Sequence, residues 1–221
     1  MLAFIIAMQN EADALLSLSR ILSEKVVCDK KVYTAEYCGT EYLLVVGGVG
    51  KVNIAAATQI AVSVYGADKI VNFGLSGSLR PEIPVAEVFE VSHAVQYDFD
   101  LAQLNGTPVG TLNEYEEPYL PLDRTHLFPA VKLGTGDRFN DSEADFRFLH
   151  DTLLADVRDM EGAAIVQVCK HANVPVYAYK VISDVAGSGS TTEQYLANTA
   201  RAVQNFQASL PTIFAAFREE A

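Results

Sequence analysis

The fold is decided by one stretch, Val-Tyr-Ala-Tyr-Lys-Val-Ile-Ser-Asp at residues 176–184. Its apolar, β-favouring residues predict a strand through the core, and Pro175 stands just before it. Ser183 and Asp184 come at its carboxyl end, and the Ala-Gly-Ser-Gly-Ser that soon follows is typical of a loop. In open α/β sheets, ligands bind beyond the carboxyl ends of the strands, where an apolar surrounding raises a carboxyl pKa. Asp184 is therefore either an acid in a binding site or a cap of the following loop.

Length and charge restrict the class of protein. The chain has 221 residues, half of them hydrophobic, which suits a single α/β domain over residues 1–221. The net charge of −12 argues against a nucleic-acid partner and against an anionic membrane, because both require basic patches. The apolar N-terminus lacks a basic leader and is too short to span a membrane, so we expect a cytoplasmic protein.

The cysteines and histidines give no sign of a disulfide framework or of a metal site. The three cysteines, Cys28, Cys38 and Cys169, are odd in number and lack CxxC spacing, which indicates free thiols in a reducing compartment. The four histidines share no ligand spacing with one another or with the cysteines. We therefore expect no metal and no cofactor.

Strands and helices are predicted to alternate along most of the chain. Strands are expected at 2–7, 25–28, 32–38, 42–46, 68–73, 85–95, 130–133, 155–157 and 176–184, and helices after Glu11 and at 52–65, 142–149, 163–171 and 191–217. Pro211 should kink the last helix. The longest irregular stretch, 101–124, is long for a loop in a compact domain, and such loops tend to be functional or to form interfaces. The alternation predicts an α/β sheet with helices on both faces.

Unusual residues stand at the predicted strand ends and at one helix start. They are Glu11, the glycines of 47–50, a glycine-rich turn at 74–78, residues 136–139, Glu161 and the pair Ser183-Asp184. If the sheet gathers these ends, three carboxylates share one pocket, and their mutual repulsion pushes at least one towards the protonated state. That arrangement suits acid–base chemistry without a metal. It suits phosphate poorly, because the nearby basic residues, Arg138 and Arg158, each adjoin an aspartate. Considered by itself, Glu11 could instead be a structural residue that only stabilises the dipole of its helix.

Six segments in order carry a family resemblance. They are Ile-Ile-Ala-Met-Gln-Asn-Glu-Ala (5–12), Gly-Gly-Val-Gly-Lys-Val-Asn-Ile-Ala (47–55), Asn-Phe-Gly-Leu-Ser-Gly-Ser-Leu (72–79), Gly-Asp-Arg-Phe (136–139), Asp-Met-Glu-Gly-Ala-Ala (159–164) and Val-Ile-Ser-Asp-Val-Ala (181–186). Together they resemble the 5′-methylthioadenosine/S-adenosylhomocysteine nucleosidases of the nucleoside phosphorylase superfamily. The resemblance implies a single-domain, three-layer α/β/α fold with a central mixed, partly barrel-like sheet. It also implies a homodimer, with helix 52–65 and loop 101–119 as the expected interface.

The resemblance implies hydrolysis of the N-glycosidic bond of an adenine nucleoside, 5′-methylthioadenosine and/or S-adenosylhomocysteine. Asp184 would protonate N7 of adenine, Ser183 would orient Asp184, and Glu11 would activate water. Substrate contacts are implied for Glu161 at the ribose hydroxyls, Met160 at the sugar, Phe139 on the base, Met8 and Val49 at the 5′ substituent, and for Ser76, Gly77 and Asn140. Protonating N7 lets adenine leave as a neutral base, and nearby carboxylates stabilise the oxocarbenium character of the ribosyl group.

Several departures from the family leave the nucleoside open. Leu75 stands where a small hydroxyl residue is usual, and Lys180 stands where arginine is usual. Loop 187–192 lacks the usual aromatic residue near the 5′ substituent, for which Thr192 or Tyr195 is the nearest candidate. A nucleosidase for another nucleoside, such as a futalosine, is therefore an alternative.

Two further alternatives differ in chemistry. A phosphate-dependent purine nucleoside phosphorylase is disfavoured, because Asn72-Phe73 replaces the arginine expected before Gly74 and because Glu11 would repel phosphate. A non-catalytic adenine-nucleoside binding protein could use the same fold, since a fold does not determine a function. A binding protein, however, would not need both an acid and a base.

Overall fold

The computed structural model describes residues 1–112 and 114–218, and this part of the chain is built on one mixed sheet. Its strands are β1 (Leu2–Ile6), β2 (Arg20–Val27), β3 (Lys30–Tyr37), β4 (Thr40–Val46), β5 (Lys69–Ser78), β6 (Val88–Gln96), β7 (Leu120–Pro121), β8 (Ala130–Thr135), β9 (Val157–Asp159) and β10 (Val176–Val185). Its α-helices are α1 (Gln9–Leu16), α2 (Lys51–Tyr65), α3 (Ala102–Asn105), α4 (Glu143–Arg147), α5 (Gly162–Ala172) and α6 (Thr191–Arg218).

Part of the sheet closes into a ring. Strand β5 pairs with β10, β10 with β6, β6 with β8, β8 with β9, and β9 returns to β5. From β5 the sheet continues outward through β1, β4, β3 and β2. Parallel and antiparallel pairs both occur, so the sheet is mixed and partly barrel-like, as the family resemblance implied.

Helices cover both faces of the sheet and give the three layers. Strand β1 shows why, because its residues are all buried and alternate between two cores. Ala3 and Ile5 pack in the core that contains α2 and α5. Phe4 and Ile6 pack in the core that contains α1 and α6, where the Phe4 ring stacks on Phe214 at 5.3 Å. The expected three-layer α/β/α fold is confirmed.

The predicted glycine-rich turn at 74–78 is wrong, because these residues continue strand β5. Gly77 pairs with Asp184 of β10 on one side and with Arg158 of β9 on the other. A Cβ atom at Gly77 would lie 2.7 Å from Asp184 Oδ1, so glycine is needed for this close approach rather than for a turn. The small residues of 74–78 therefore make room for side chains of the neighbouring strands.

Other boundaries differ more modestly. Strand β2 begins five positions before the predicted 25, and β9 runs to Asp159, two positions beyond the predicted end at 157. The predicted helix 142–149 becomes α4 followed by a π-helical turn, Phe148–Thr152. Helix α6 runs to Arg218 without interruption at Pro211. Within the described residues, no helix combines the length and apolar character that a membrane span requires.

Candidate active site

A cavity of about 520 Å³ opens near the carboxyl ends of β1, β5, β9 and β10. Its wall contains all but one of the side chains and glycines expected from the sequence: Met8, Glu11, Val49, Ser76, Gly77, Phe139, Met160, Glu161, Ser183 and Asp184. The exception is Asn140, which lines a second cavity of about 200 Å³ and whose amide donates to Asp145 at 2.8 Å.

Asp184 lines this cavity and is 2% exposed. Its Oδ2 accepts a hydrogen bond from the Ser183 hydroxyl at 2.7 Å. Its Oδ1 is buried and has no hydrogen-bond partner among the described residues. Burial raises the pKa of Asp184 above its ordinary value, and the Ser183 hydroxyl and the charge of Arg158 offset only part of that rise. A buried, unpartnered carboxyl oxygen is available to give a proton to a ligand.

Glu11 lies in the first turn of α1 and is also 2% exposed. Its Oε1 accepts a hydrogen bond from the Leu75 amide at 2.9 Å, and its Oε2 accepts one from the Met8 amide at 3.2 Å. Burial raises the pKa of Glu11, whereas the Leu75 amide and the charge of Lys180 lower it. Two amide donors stabilise a carboxylate more than a carboxylic acid, so these contacts favour the ionised form.

Glu161 immediately precedes α5 and faces the N-terminus of α2. Its Oε1 accepts a hydrogen bond from the Gly50 amide at 2.9 Å. Gly50 has φ +95°, and a Cβ atom there would lie 3.2 Å from Asp137 Oδ1, so this position requires glycine. Burial, with a smaller contribution from Asp159, raises the pKa of Glu161 to about 7.

A buried ion pair that the sequence interpretation missed lies beneath these carboxylates. Lys180 Nζ is 2.8 Å from Asp159 Oδ2, and each side chain is 1% exposed. Asp159 also accepts hydrogen bonds from the Thr135 hydroxyl at 2.6 Å and from the Gly162 amide at 2.9 Å. The charge of Lys180 lowers the pKa of both Glu11 and Glu161. The expectation that Arg138 and Arg158 are the nearby basic residues is therefore incomplete.

Arg138 and Arg158 both line the cavity and differ in their contacts. Arg138 is exposed and forms an ion pair with Asp145 at 2.8 Å. Arg158 Nη2 donates to the Asn140 carbonyl at 2.9 Å and lies 3.4 Å from the Thr191 hydroxyl. Arg158 forms no ion pair with any carboxylate of residues 1–112 and 114–218. Arg158 therefore keeps hydrogen-bond donors available at the cavity wall.

The cavity mouth is aromatic. The ring of Phe139 meets that of Tyr195 edge-on at 5.6 Å, and the Tyr195 hydroxyl lies 3.7 Å from Met8 Sδ. Leu196 and Thr192 border the same opening from α6. A flat, apolar ring can therefore enter between the aromatic mouth and the buried carboxyl groups.

The chain is similar to known proteins over most of its length. The sequence profile of the Phosphorylase superfamily matches residues 1–215. Aminodeoxyfutalosine nucleosidase of Campylobacter jejuni is 26% identical over 219 residues, with coverage of 93% of this chain and 95% of the relative. A 5′-methylthioadenosine/S-adenosylhomocysteine nucleosidase of Tolumonas auensis is 30% identical over 179 residues, with coverage of 74% and 78%.

The fold likeness extends to solved structures. A crystal structure of the Helicobacter pylori 5′-methylthioadenosine/S-adenosylhomocysteine nucleosidase superposes with a TM-score of 0.89 at 20% identity, covering 97% of each chain. The sheet closed at β5 is therefore the fold of this solved nucleosidase. The chain belongs to the phosphorylase superfamily and, within it, to the 5′-methylthioadenosine/S-adenosylhomocysteine nucleosidases, enzymes that hydrolyse N-glycosidic bonds.

Proposed function

We propose that this protein hydrolyses the N-glycosidic bond of 5′-methylthioadenosine and/or S-adenosylhomocysteine, with Asp184 as the acid and Glu11 as the base. One observation carries the proposal. A single cavity holds a buried carboxyl group with an unpartnered oxygen, that of Asp184, and a second carboxyl group, that of Glu11, whose oxygens accept backbone hydrogen bonds. The two environments suit opposite proton-transfer roles.

The reaction consumes one water. Asp184 gives its proton to N7 of adenine, the bond between N9 and C1′ breaks, and the base leaves as a neutral molecule. The ribosyl group gains oxocarbenium character, which the negative charge of Glu11 and Glu161 stabilises. The water oxygen bonds to C1′ while one of its protons passes to Glu11. Exchange with solvent then returns the proton from Glu11 and restores the one on Asp184.

The positions of the remaining residues support their proposed contacts. Glu161 uses one oxygen for the Gly50 amide, so the other is left to accept from ribose hydroxyls. Met160 packs against the sugar, Phe139 stacks on the base, and Ser76 and Gly77 form the floor beside Asp184. Met8 and Val49 contact the 5′ substituent. Asn140 contributes no side-chain contact in this proposal, because its amide is held by Asp145.

A second candidate substrate is a futalosine-type nucleoside. The Campylobacter jejuni relative is an aminodeoxyfutalosine nucleosidase. The cavity mouth also offers hydroxyl groups from Thr192 and Tyr195 beside the apolar Met8, so it can receive a 5′ substituent with polar atoms. The chemistry at the glycosidic bond is the same for both candidates.

We also propose that two copies associate through α2. Its outer face carries Val52, which is 83% exposed, and Val64, which is 62% exposed. Burying such apolar side chains against a second copy is favourable. The mass of the protein in solution tests this, and a strict monomer at micromolar concentration contradicts it.

One assay panel tests the reaction. The protein is incubated with 5′-methylthioadenosine, S-adenosylhomocysteine, adenosine and a futalosine, each with and without phosphate. Free adenine and free 5-methylthioribose without phosphate support the proposal. Formation of a sugar 1-phosphate indicates a phosphorylase instead, and the absence of free base from every nucleoside contradicts an enzyme of this specificity.

A further inference from the structure

Segment 47–50 leads into α2 and presents the Gly50 amide to Glu161 at 2.9 Å. Gly48 and Gly50 have φ +91° and +95°, in the left-handed region that glycine favours. Glycine has more backbone freedom than any other residue, so this segment has little stiffness of its own. Contacts from outside the segment are therefore needed to hold the Gly50 amide in one direction.

Three charged residues supply such contacts, and we call them the Lys51 cluster: Lys51, Asp98 and Asp137. Lys51 Nζ forms an ion pair with Asp98 and lies 3.8 Å from Asp137 Oδ2. The Lys51 amide donates to Asp137 Oδ1 at 2.9 Å, and the Asp137 amide donates to Asp98 Oδ2 at 3.1 Å. The cluster therefore joins the start of α2 to the residues that follow β6 and β8. None of its three members is part of the wall of the main cavity.

The Lys51 cluster is shielded more than an ordinary surface ion pair. The side chains of Lys51 and Asp98 are each 16% exposed, so salt and water screen their attraction less than that of an exposed pair. Burial raises the pKa of Asp98, but the Lys51 ammonium and the Asp137 amide outweigh burial and hold the pKa below its ordinary value. Asp98 is therefore ionised at neutral pH. Without Lys51, the two aspartates would face each other with no cation between them.

The direction of the Gly50 amide depends on the Lys51 cluster through the backbone. The amides of Gly50 and Lys51 are consecutive, and they donate to Glu161 and to Asp137, respectively. Asp137 Oδ1 also lies against Gly50, where a Cβ atom would come within 3.2 Å of it. A displacement of Asp137 from the Lys51 amide therefore changes the dihedral angles at Gly50, and with them the hydrogen bond to Glu161.

We propose that Lys51, held by Asp98 and Asp137, is a positioning residue that directs the Gly50 amide at Glu161 and so fixes the carboxylate that receives the ribose. The proposal rests on the proposed contact between Glu161 and the ribose hydroxyls. A carboxylate that is fixed before the substrate arrives loses less freedom on binding and in the transition state. Lys51 itself touches no substrate and transfers no proton.

A titration that needs no substrate tests the contact. In ¹⁵N-labelled wild-type protein, the Gly50 amide resonance should shift as Glu161 titrates, and burial raises the pKa of Glu161 to about 7. In Lys51→Met the size of this shift should fall by at least about half, because the hydrogen bond is lost in part. Its midpoint should move to higher pH, because the Gly50 amide lowers the pKa of Glu161. A shift of unchanged size and midpoint overturns the proposal.

A second variant separates Glu161 from the charges around it. Four titratable groups on the surrounding elements interact electrostatically with Glu161, and they are Asp159, Lys180, Glu11 and Tyr195. The carboxylate of Asp137 also lies near Gly50. Glu161→Gln should abolish the shift of the Gly50 resonance near pH 7. A shift that persists in Glu161→Gln belongs to another group and overturns the proposal.

A double-mutant cycle tests whether the contact serves the reaction. The kcat/KM for 5′-methylthioadenosine is measured in the wild type, in Lys51→Met, in Glu161→Gln and in the variant that combines them. Lys51→Met should lower kcat/KM roughly tenfold alone and less than about threefold in Glu161→Gln, because its effect passes through Glu161. Equal losses in both backgrounds overturn the proposal. Arg124→Met is the matched control: it removes an ion pair of 3.1 Å with Glu90 outside the cavity wall, and its factor should be the same in both backgrounds.

Asp98→Asn covers the case in which Lys51→Met fails to fold. Its amide keeps the size of the side chain and an oxygen for the Asp137 amide, but it carries no charge. The titration and the cycle should both change in the same direction as in Lys51→Met, and wild-type values in both overturn the proposal. A protein that shows the expected titrations but releases base from no nucleoside contradicts the proposed function and leaves the role of Lys51 at Glu161 standing, so the two failures are distinguishable.

Discussion

Glu11 and Asp184 are equally buried in the wall of one cavity, yet the protein surrounds them differently. Both oxygens of Glu11 accept backbone hydrogen bonds, and the Lys180–Asp159 ion pair lies nearby. Asp184 has a hydroxyl donor at one oxygen and no described partner at the other. Burial raises the pKa of both carboxyl groups.

In the proposed mechanism, burial alone does not decide which carboxyl group is the acid. Burial disfavours the charged form of each group by a similar mechanism, so the donors around them make the difference. In the proposed mechanism, the two fixed backbone N–H donors favour the ionised form of Glu11, so Glu11 can act as a base. The unpartnered oxygen of Asp184 can hold a proton and donate it to a ligand.

The largest effect is expected from Asp184→Asn. The amide keeps the size of the side chain but has no acidic proton to give, so kcat for 5′-methylthioadenosine should fall roughly thousandfold. The melting temperature should stay close to that of the wild type, because the removed group was a buried carboxyl with an unsatisfied oxygen. Steady-state kinetics and thermal unfolding measure both, and turnover within tenfold of the wild type contradicts the assigned acid.

A smaller effect on activity, joined to a large one on stability, is expected from Lys180→Met. The free energy of unfolding should fall by about 3–5 kcal/mol, because Asp159 is left as a buried charge without its cation. Lys180 lowers the pKa of Glu11, so its loss raises that pKa and moves the acidic limb of the kcat/KM profile to higher pH.

Two controls separate the consequences of losing Lys180. Lys180→Arg keeps the charge and should keep the position of the acidic limb. The double variant Lys180→Met with Asp159→Asn should regain much of the lost stability, because it leaves no unpaired charge. Its acidic limb should return only part of the way, because Asp159, which raises the pKa of Glu11 less than Lys180 lowers it, is removed as well. A limb that does not move in Lys180→Met shows that the ion pair serves only the fold.

The smallest effect is expected from Glu161→Gln. Burial raises the pKa of Glu161 to about 7, above its ordinary value, so its contribution to stability is present at low pH and is lost as the pH rises through about 7. At a pH of about 8 the neutral glutamine should therefore raise the melting temperature by roughly a few degrees. The same change should lower kcat/KM roughly tenfold, because an acceptor for the ribose hydroxyls is weakened. A changed melting temperature with unchanged kinetics shows that Glu161 is structural.

The strand ends could be predicted from sequence because their signals are local. A short apolar run followed by Met-Gln-Asn-Glu placed Glu11 beyond β1, and the apolar stretch 176–184 placed Asp184 at the end of β10. The prediction of a turn at 74–78 was wrong because glycine there allows close contact with β9 and β10, which are distant in sequence. Composition within one segment cannot reveal which neighbours require the missing Cβ.

The contact partners of the charged residues could not be predicted from the sequence. Lys180 sits in an apolar strand, and a buried lysine needs a carboxylate partner, so its position was a usable signal. Its partner Asp159 lies in a different strand, and only the closed ring of strands brings the two together. The contacts of Arg158 could not be predicted either. Arg158 donates to the Asn140 carbonyl and forms no ion pair among the described residues.

The division of labour between Asp184 and Glu11 is tested most directly with a substrate that needs no acid. In 4-nitrophenyl 5-methylthio-β-ribofuranoside the leaving group departs as a stable anion, while water must still attack C1′. We expect Asp184→Asn to hydrolyse it within roughly tenfold of the wild-type rate, and Glu11→Gln to lose roughly a hundredfold or more. Asp13→Asn, in the same helix as Glu11, is the control and should match the wild type. If Asp184→Asn is as inactive on this substrate as on 5′-methylthioadenosine, Asp184 is not the acid that releases the base.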